Sequence, residues 1–170
     1  MKLHTALNIN GKHHPAGSEV AWYVIYPFFL FHMLMFGGSG FLLAYAARDV
    51  DVGFLYMHGG IAILVYVVFY IAMFGADEVR WMVINAALGL LGIRAEIGWL
   101  LGRFGKRIAD FPWYVHVIPF LYYILYTFLL RQVVLDLAGA REDEARRRQV
   151  DRFYVAGSLA MYLVLLLAAP

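Results

Sequence analysis

Cysteine is absent from the 170 residues and charge is scarce, with 14 Lys and Arg against 12 Asp and Glu. Without cysteine, the chain cannot build a disulfide framework, a thiolate zinc site or an iron–sulfur centre of its own. The charged fraction is 15%, against roughly 25% in a soluble domain, which excludes an ordinary water-soluble fold. A net charge of +2 is too small to describe a nucleic-acid surface, so no nucleic acid is expected as a partner. Carboxylates are missing from every long apolar run except one broken segment, which leaves ion-coupled transport little to work with. The chain also has no serine elbow, no histidine-box spacing of a di-iron oxidase and no acidic motif for diphosphate chemistry. It is therefore expected to have no catalytic activity on its own.

Apolar residues, 63% of the chain, take the place of all this. A helix crossing about 30 Å of hydrocarbon needs about 20 residues. Four runs free of Asp, Glu, Lys and Arg approach or exceed that length: Val20 to Ala47, Val52 to Ala76, Phe111 to Leu130 and Phe153 to Pro170, with 28, 25, 20 and 18 residues. The first is too long for a signal-peptide core and reads as a retained span. Before it lies a polar leader, residues 1–19, expected to fray unless a partner orders it.

Between Asp77 and Asp110 the apolar pattern is broken by Arg94 and Glu96. Two features make this stretch a span. Trp81 and Trp99 are 18 residues apart, about 27 Å of helix, the separation of two aromatic belts. With five spans and the N-terminus inside, nine Lys and Arg lie inside and four outside, as the positive-inside rule requires. With four spans they divide seven against seven. The sequence thus predicts an all-α, polytopic transmembrane helix bundle, a single integral membrane domain with spans at about 20–47, 52–76, 80–101, 111–131 and 153–170. The alternative is four spans plus an interfacial amphipathic helix at about 79–107.

The polar groups inside the spans are histidines and tyrosines. With five spans, His58 and His116 fall five or six residues below the same face, about 8–9 Å deep. They are the candidate metal ligands, since neutral imidazole binds haem iron well. Arg94, in the same layer, would offer its charge to a haem propionate or a quinone oxygen. His58 is followed by Gly59 and Gly60, leaving room for a flat ring or another helix. His32 lies near mid-membrane with no histidine at its depth, so it would ligate only singly, as a chlorophyll-type magnesium requires. For each histidine the plain alternative is a hydrogen bond to a tyrosine or a backbone carbonyl between helices. Tyr122, Tyr123, Tyr126 and Thr127 suit either a quinone pocket or an aromatic packing face. Small residues at Gly37 to Gly40, Gly89 and Gly92 favour close helix approach. Asp110 ahead of Phe111 and Pro112 reads as a helix cap, and Pro27 and Pro119 are expected to kink their helices.

These features define a small multi-pass subunit of a larger respiratory or photosynthetic complex in the cell membrane, the inner membrane of a bacterium. It would sit in the lipid bilayer with other integral membrane subunits and serve electron transport. The cofactors considered are haem b first, then a chlorophyll-type pigment or a quinone, with His58, His116, His32 and Arg94 as binding residues. The alternatives are a structural or assembly subunit without cofactor, and a small facilitator or lipid-modifying protein.

Overall fold

The computed structural model describes residues 1–9, 11–46 and 49–168. Five helices are long and apolar enough to cross a membrane: α1 (Trp22–Tyr45), α2 (Val52–Phe74), α3 (Ala76–Arg103), α4 (Trp113–Leu137) and α5 (Glu144–Leu167). Ahead of them, β1 (Leu7–Ile9) and β2 (Lys12–His14) pair antiparallel, Leu7 opposite His14 and Ile9 opposite Lys12. The ends expected at 47 and at 169–170 lie outside the described residues.

The helices pack around α4, and glycine decides how. Ile118 of α4 fills the notch left by Gly59 of α2. The Tyr122 ring lies over Gly37 and Gly40 of α1, and Phe120 and Tyr123 cover Gly89 of α3, with atoms 3.2–3.7 Å from where a Cβ would stand. Large side chains from one helix thus enter small-residue gaps on three others, the packing that drives association where lipid is as apolar as leucine. Gly59 is therefore occupied by a helix, not by a ring. On the outer surface, Leu34, Leu64, Val83, Leu90 and Leu163 are exposed, consistent with helices apolar enough to cross a membrane.

α3 is continuous through the charged stretch and runs antiparallel to α4 over its whole length. Glu78 meets Arg131, Asn85 meets Thr127, and Glu96 meets Tyr123. α3 is thus one of five helices long and apolar enough to cross a membrane. Near its middle, α3 passes through a π-helical turn, Ile93–Ile97.

Several expected boundaries shift. α4 continues past Arg131 to Leu137, and α5 begins at Glu144, not 153. Arg131, Asp136, Arg147 and Asp151 at these ends are all paired, so they do not stop a helix. The stop for α4 is Gly139, at φ 59°, a left-handed position glycine adopts without a Cβ penalty. Asp110 does not cap α4 either. It closes the 3₁₀ turn Ile108–Asp110 by accepting the Arg107 backbone N–H at 2.7 Å, which holds its carboxyl below the usual range. Pro119 falls in the first α-helical turn of α4, where its missing N–H has no partner to lose.

The leader is also ordered within the chain. Leu3 is buried, and the Met1 and Val20 backbones exchange hydrogen bonds. The N–H groups of His4 and Thr5 donate to the Met73 and Ala72 carbonyls at 3.0 Å, and the Thr5 hydroxyl adds a bond to Ala72 at 2.8 Å. These carbonyls belong to the last turn of α2 and have no helical partner of their own. The leader is their cap.

The glycine fit yields a paired test. Ile118 is buried and β-branched, so Gly59→Ala is expected to cost about 1–3 kcal/mol. Gly60, with nothing within 4 Å of its Cβ position, should accept alanine without loss. Thermal melts of both variants in detergent check this; equal melting temperatures would contradict the fit.

Candidate functional site

α1 and α2 diverge along their outer faces to leave a groove of about 470 Å³. Its walls are aromatic, with Phe28, Phe29 and Phe36 from α1 and Phe54 and Phe69 from α2, and two imidazoles, His32 and His58, open onto it. Tyr66 closes part of the floor. On α4, the Tyr122 hydroxyl is buried with no hydrogen-bond partner among the described residues.

The hydrogen bonds set the tautomers. His32 Nδ1 lies 2.8 Å from the Phe28 carbonyl one turn back. A carbonyl only accepts, so Nδ1 carries the proton and Nε2 keeps its lone pair. At His58, Nε2 lies 3.2 Å from the Ser39 hydroxyl, which itself donates to the Phe36 carbonyl at 2.8 Å. The serine proton is thus used, Nε2–H of His58 donates to Ser39, and Nδ1 holds the lone pair. Phe54 stacks on His58 at 13° between planes, and Phe28 lies 4.0 Å from His32, centroid to centroid. His32 and Ser39 are seven residues apart on α1, about 10 Å along the axis.

His116 stands elsewhere. Its Nδ1 is 2.8 Å from the Tyr45 hydroxyl at the far end of α1, and Phe111 packs beside it. Lys106 binds the Tyr45 carbonyl, holding the same residue from the other side. Tyr45 and Ser39 are six residues apart, about 9 Å, so His58 and His116 engage separate hydroxyls. The two are brought to one end of the fold and to different partners there.

Arg94 and Glu96 share the π-helical turn but face differently. Glu96 is half-buried and accepts the Tyr123 hydroxyl at 3.2 Å, with Tyr162 of α5 bonded to the same tyrosine. Arg94 is exposed and has no hydrogen-bond or ion-pair partner among the described residues. It does not line the groove that holds His32 and His58. Tyr122, Tyr123 and Tyr126 line a narrower cleft of about 190 Å³ with Gly37 and Gly38.

The sequence reading missed the largest polar assembly. Arg131, fully buried, donates to both Asp151 carboxylate oxygens at 2.7 and 3.0 Å and to Glu78 at 3.1 Å, with its guanidinium 4.2 Å above the Trp81 ring. Glu78 also takes Arg147 and the Gln132 amide. Arg141 joins Asp136 at 2.6 Å and Gln132 at 3.0 Å, and Tyr26 donates to Asp136. Three arginines face three carboxylates, so the network is neutral and ties all of α1, α3, α4 and α5 at the hairpin end. The signal was present: Val133, Val134 and Leu135 continue the apolar pattern beyond Arg131 to Gly139.

Among the described residues, no three His, Asp or Glu side chains converge on a point that could hold a metal ion. No protein-family model, curated protein or solved structure matches the chain.

The network makes a stability prediction. Arg131→Ala would strand Glu78 and Asp151 and should cost about 3–5 kcal/mol, whereas replacing a buried ion pair by well-packed apolar groups is nearly neutral. The quadruple change Glu78→Leu, Arg131→Met, Arg147→Met, Asp151→Leu, which removes two charges of each sign, should therefore melt closer to wild type than the single variant does. The reverse order would show that these charges are not coupled.

Proposed function

We propose that the chain is a multi-pass membrane subunit of a larger respiratory or photosynthetic assembly, where it anchors partners and holds a ring-bearing cofactor for electron transport. The observation that carries this reading is the α1–α2 groove: aromatic walls, an open apolar side, and two imidazoles with unused lone pairs. An apolar recess with few convergent polar groups is how small-molecule sites are built. His32 and His58 are the residues assigned to the cofactor; His116 and Arg94 are not needed by it. The exposed apolar surface fits lipid and neighbouring membrane subunits. In a bacterial inner membrane, the hairpin end faces the cytoplasm, because Lys2, Lys12, Arg80 and the arginines of residues 141–152 lie there.

One observation favours the second reading, a structural or assembly subunit without cofactor. Each of the three intramembrane histidines already has a hydrogen bond within the chain.

Two measurements separate these readings. The assembly extracted from membranes in mild detergent should show Soret or longer-wavelength visible bands that co-elute with this chain. A colourless preparation that still contains the partner subunits would leave the structural reading. Accessibility of tags should place the two termini on opposite sides of the membrane, the N-terminus inside; both on one side would overturn the five-span topology.

A further inference from the structure

The groove does not end at Phe28 and Phe69. Those two residues and Phe29 also wall a second recess of about 390 Å³, bounded by Val24 and Met73 of the helices and by Leu7, Asn8 and Ile9 of β1. The recesses share these three phenylalanines and so lie end to end along α1 and α2, the first holding His58 and the second lying beneath the hairpin; we call the pair the channel. His32 lies between its ends. The channel is also graded in polarity. Around His58 almost every exposed atom is carbon, whereas the hairpin end offers Asn8, whose Oδ1 is 2.9 Å from His13 Nδ1 and whose NH₂ remains available as a donor.

Resting on the reading of the groove as a cofactor site, we propose that this channel holds one amphiphilic metallotetrapyrrole, ligated by the protein only through His32 Nε2, with its polar substituents beneath the hairpin at Asn8. Four observations converge on this. The bond from His32 Nδ1 to the Phe28 carbonyl is the second-shell contact that orients a ligating imidazole and makes it more basic. No cluster of three donors exists among the described residues, so a metal bound here must bring its equatorial ligands with it. His58 is held at Ser39, which lies about 10 Å along α1 from His32, while two axial ligands of one metal stand only about 4 Å apart, twice a metal–nitrogen bond of about 2 Å. His58 therefore cannot be the sixth ligand, and the metal keeps an open position. Finally, no Lys or Arg lines either recess, but the hairpin end exposes the more polar surface and offers Asn8, so the polar groups on the ring belong there.

Full-length protein in detergent, titrated with ferric protoporphyrin IX, tests the assignment. The expected result is one haem per chain with a high-spin, five-coordinate ferric signal in electron paramagnetic resonance. His32→Ala should weaken binding by about tenfold or more, and added imidazole should restore ligation in His32→Gly, showing that the variant is still folded. His116→Ala should stay within about twofold of wild type, since that ring makes no contact with the channel. Thr5→Pro, which removes both bonds from Thr5 of the leader to the Ala72 carbonyl, should speed haem loss several-fold.

Equal affinity of wild type and His32→Ala, or a low-spin bis-histidine signal lost in both His58→Ala and His116→Ala, overturns the His32 assignment while leaving a cofactor site standing. An unchanged loss rate in Thr5→Pro overturns the role of the hairpin. A folded wild type that takes up no haem, from an assembly that is itself colourless, overturns the cofactor reading as well.

Discussion

The fit of large side chains from α4 into glycine notches on its neighbours is the constraint on which the other features depend. Helices in lipid gain little from hiding leucine, so they associate where backbones can come close. Ile118 against Gly59, Tyr122 against Gly37 and Gly40, and Phe120 and Tyr123 against Gly89 fix three helices on one axis. Once α1 and α2 are both seated on α4 by their glycine faces, their bulky faces must point outward and apart. The aromatic groove is the consequence: it is the side of α1 and α2 that α4 does not use.

The same packing explains how charge is distributed. Seating α3 antiparallel on α4 brings Glu78 to Arg131, and adding α5 brings Asp151 and Arg147 to the same point. A buried guanidinium is tolerated only when its donors are satisfied, and here bidentate pairing and the Trp81 face accomplish that. Further along α3, Glu96 sits on the π-helical turn and accepts the Tyr123 hydroxyl, which Tyr162 also bonds, while Arg94 remains exposed. Charge in this protein is thus placed by helix pairing and not by proximity to the chain's polar segments.

That is also why the sequence was legible in some respects and misleading in others. The number and order of the five long apolar helices follow from length and composition, and the Trp81 to Trp99 spacing identified the third despite its charges. The ends did not follow, because a charge-free run measures where unpaired charge begins, and Arg131, Asp136, Asp151 and Arg147 are paired. The leader looked polar and free because its stabilising contacts are backbone bonds to Ala72 and Met73, which no side-chain pattern records. For the histidines, depth was readable but direction was not. His58 and His116 were matched by their distance from the ends of α2 and α4, yet which helix face each occupies depends on where the glycines dock. Gly59 next to His58 was read as space for a ring or for another helix; it is the notch for Ile118 of α4, and His58 turns toward α1 and Ser39.

This orientation gives the three histidines unequal chemical standing. His116 shares its Nδ1 with a buried tyrosine that is itself fixed by Lys106, an arrangement that closes the end of α1 against the loop before α4. His58 spends its Nε2 proton on a serine whose own proton is already committed. His32 alone uses only the carbonyl of its own helix, a bond that any histidine four residues after a helical carbonyl can form, and it therefore directs Nε2 away from α1 without drawing on another helix. The direction of its free Nε2 is thus set by its own helix, whereas His58 and His116 take their orientation from Ser39 and Tyr45 of α1.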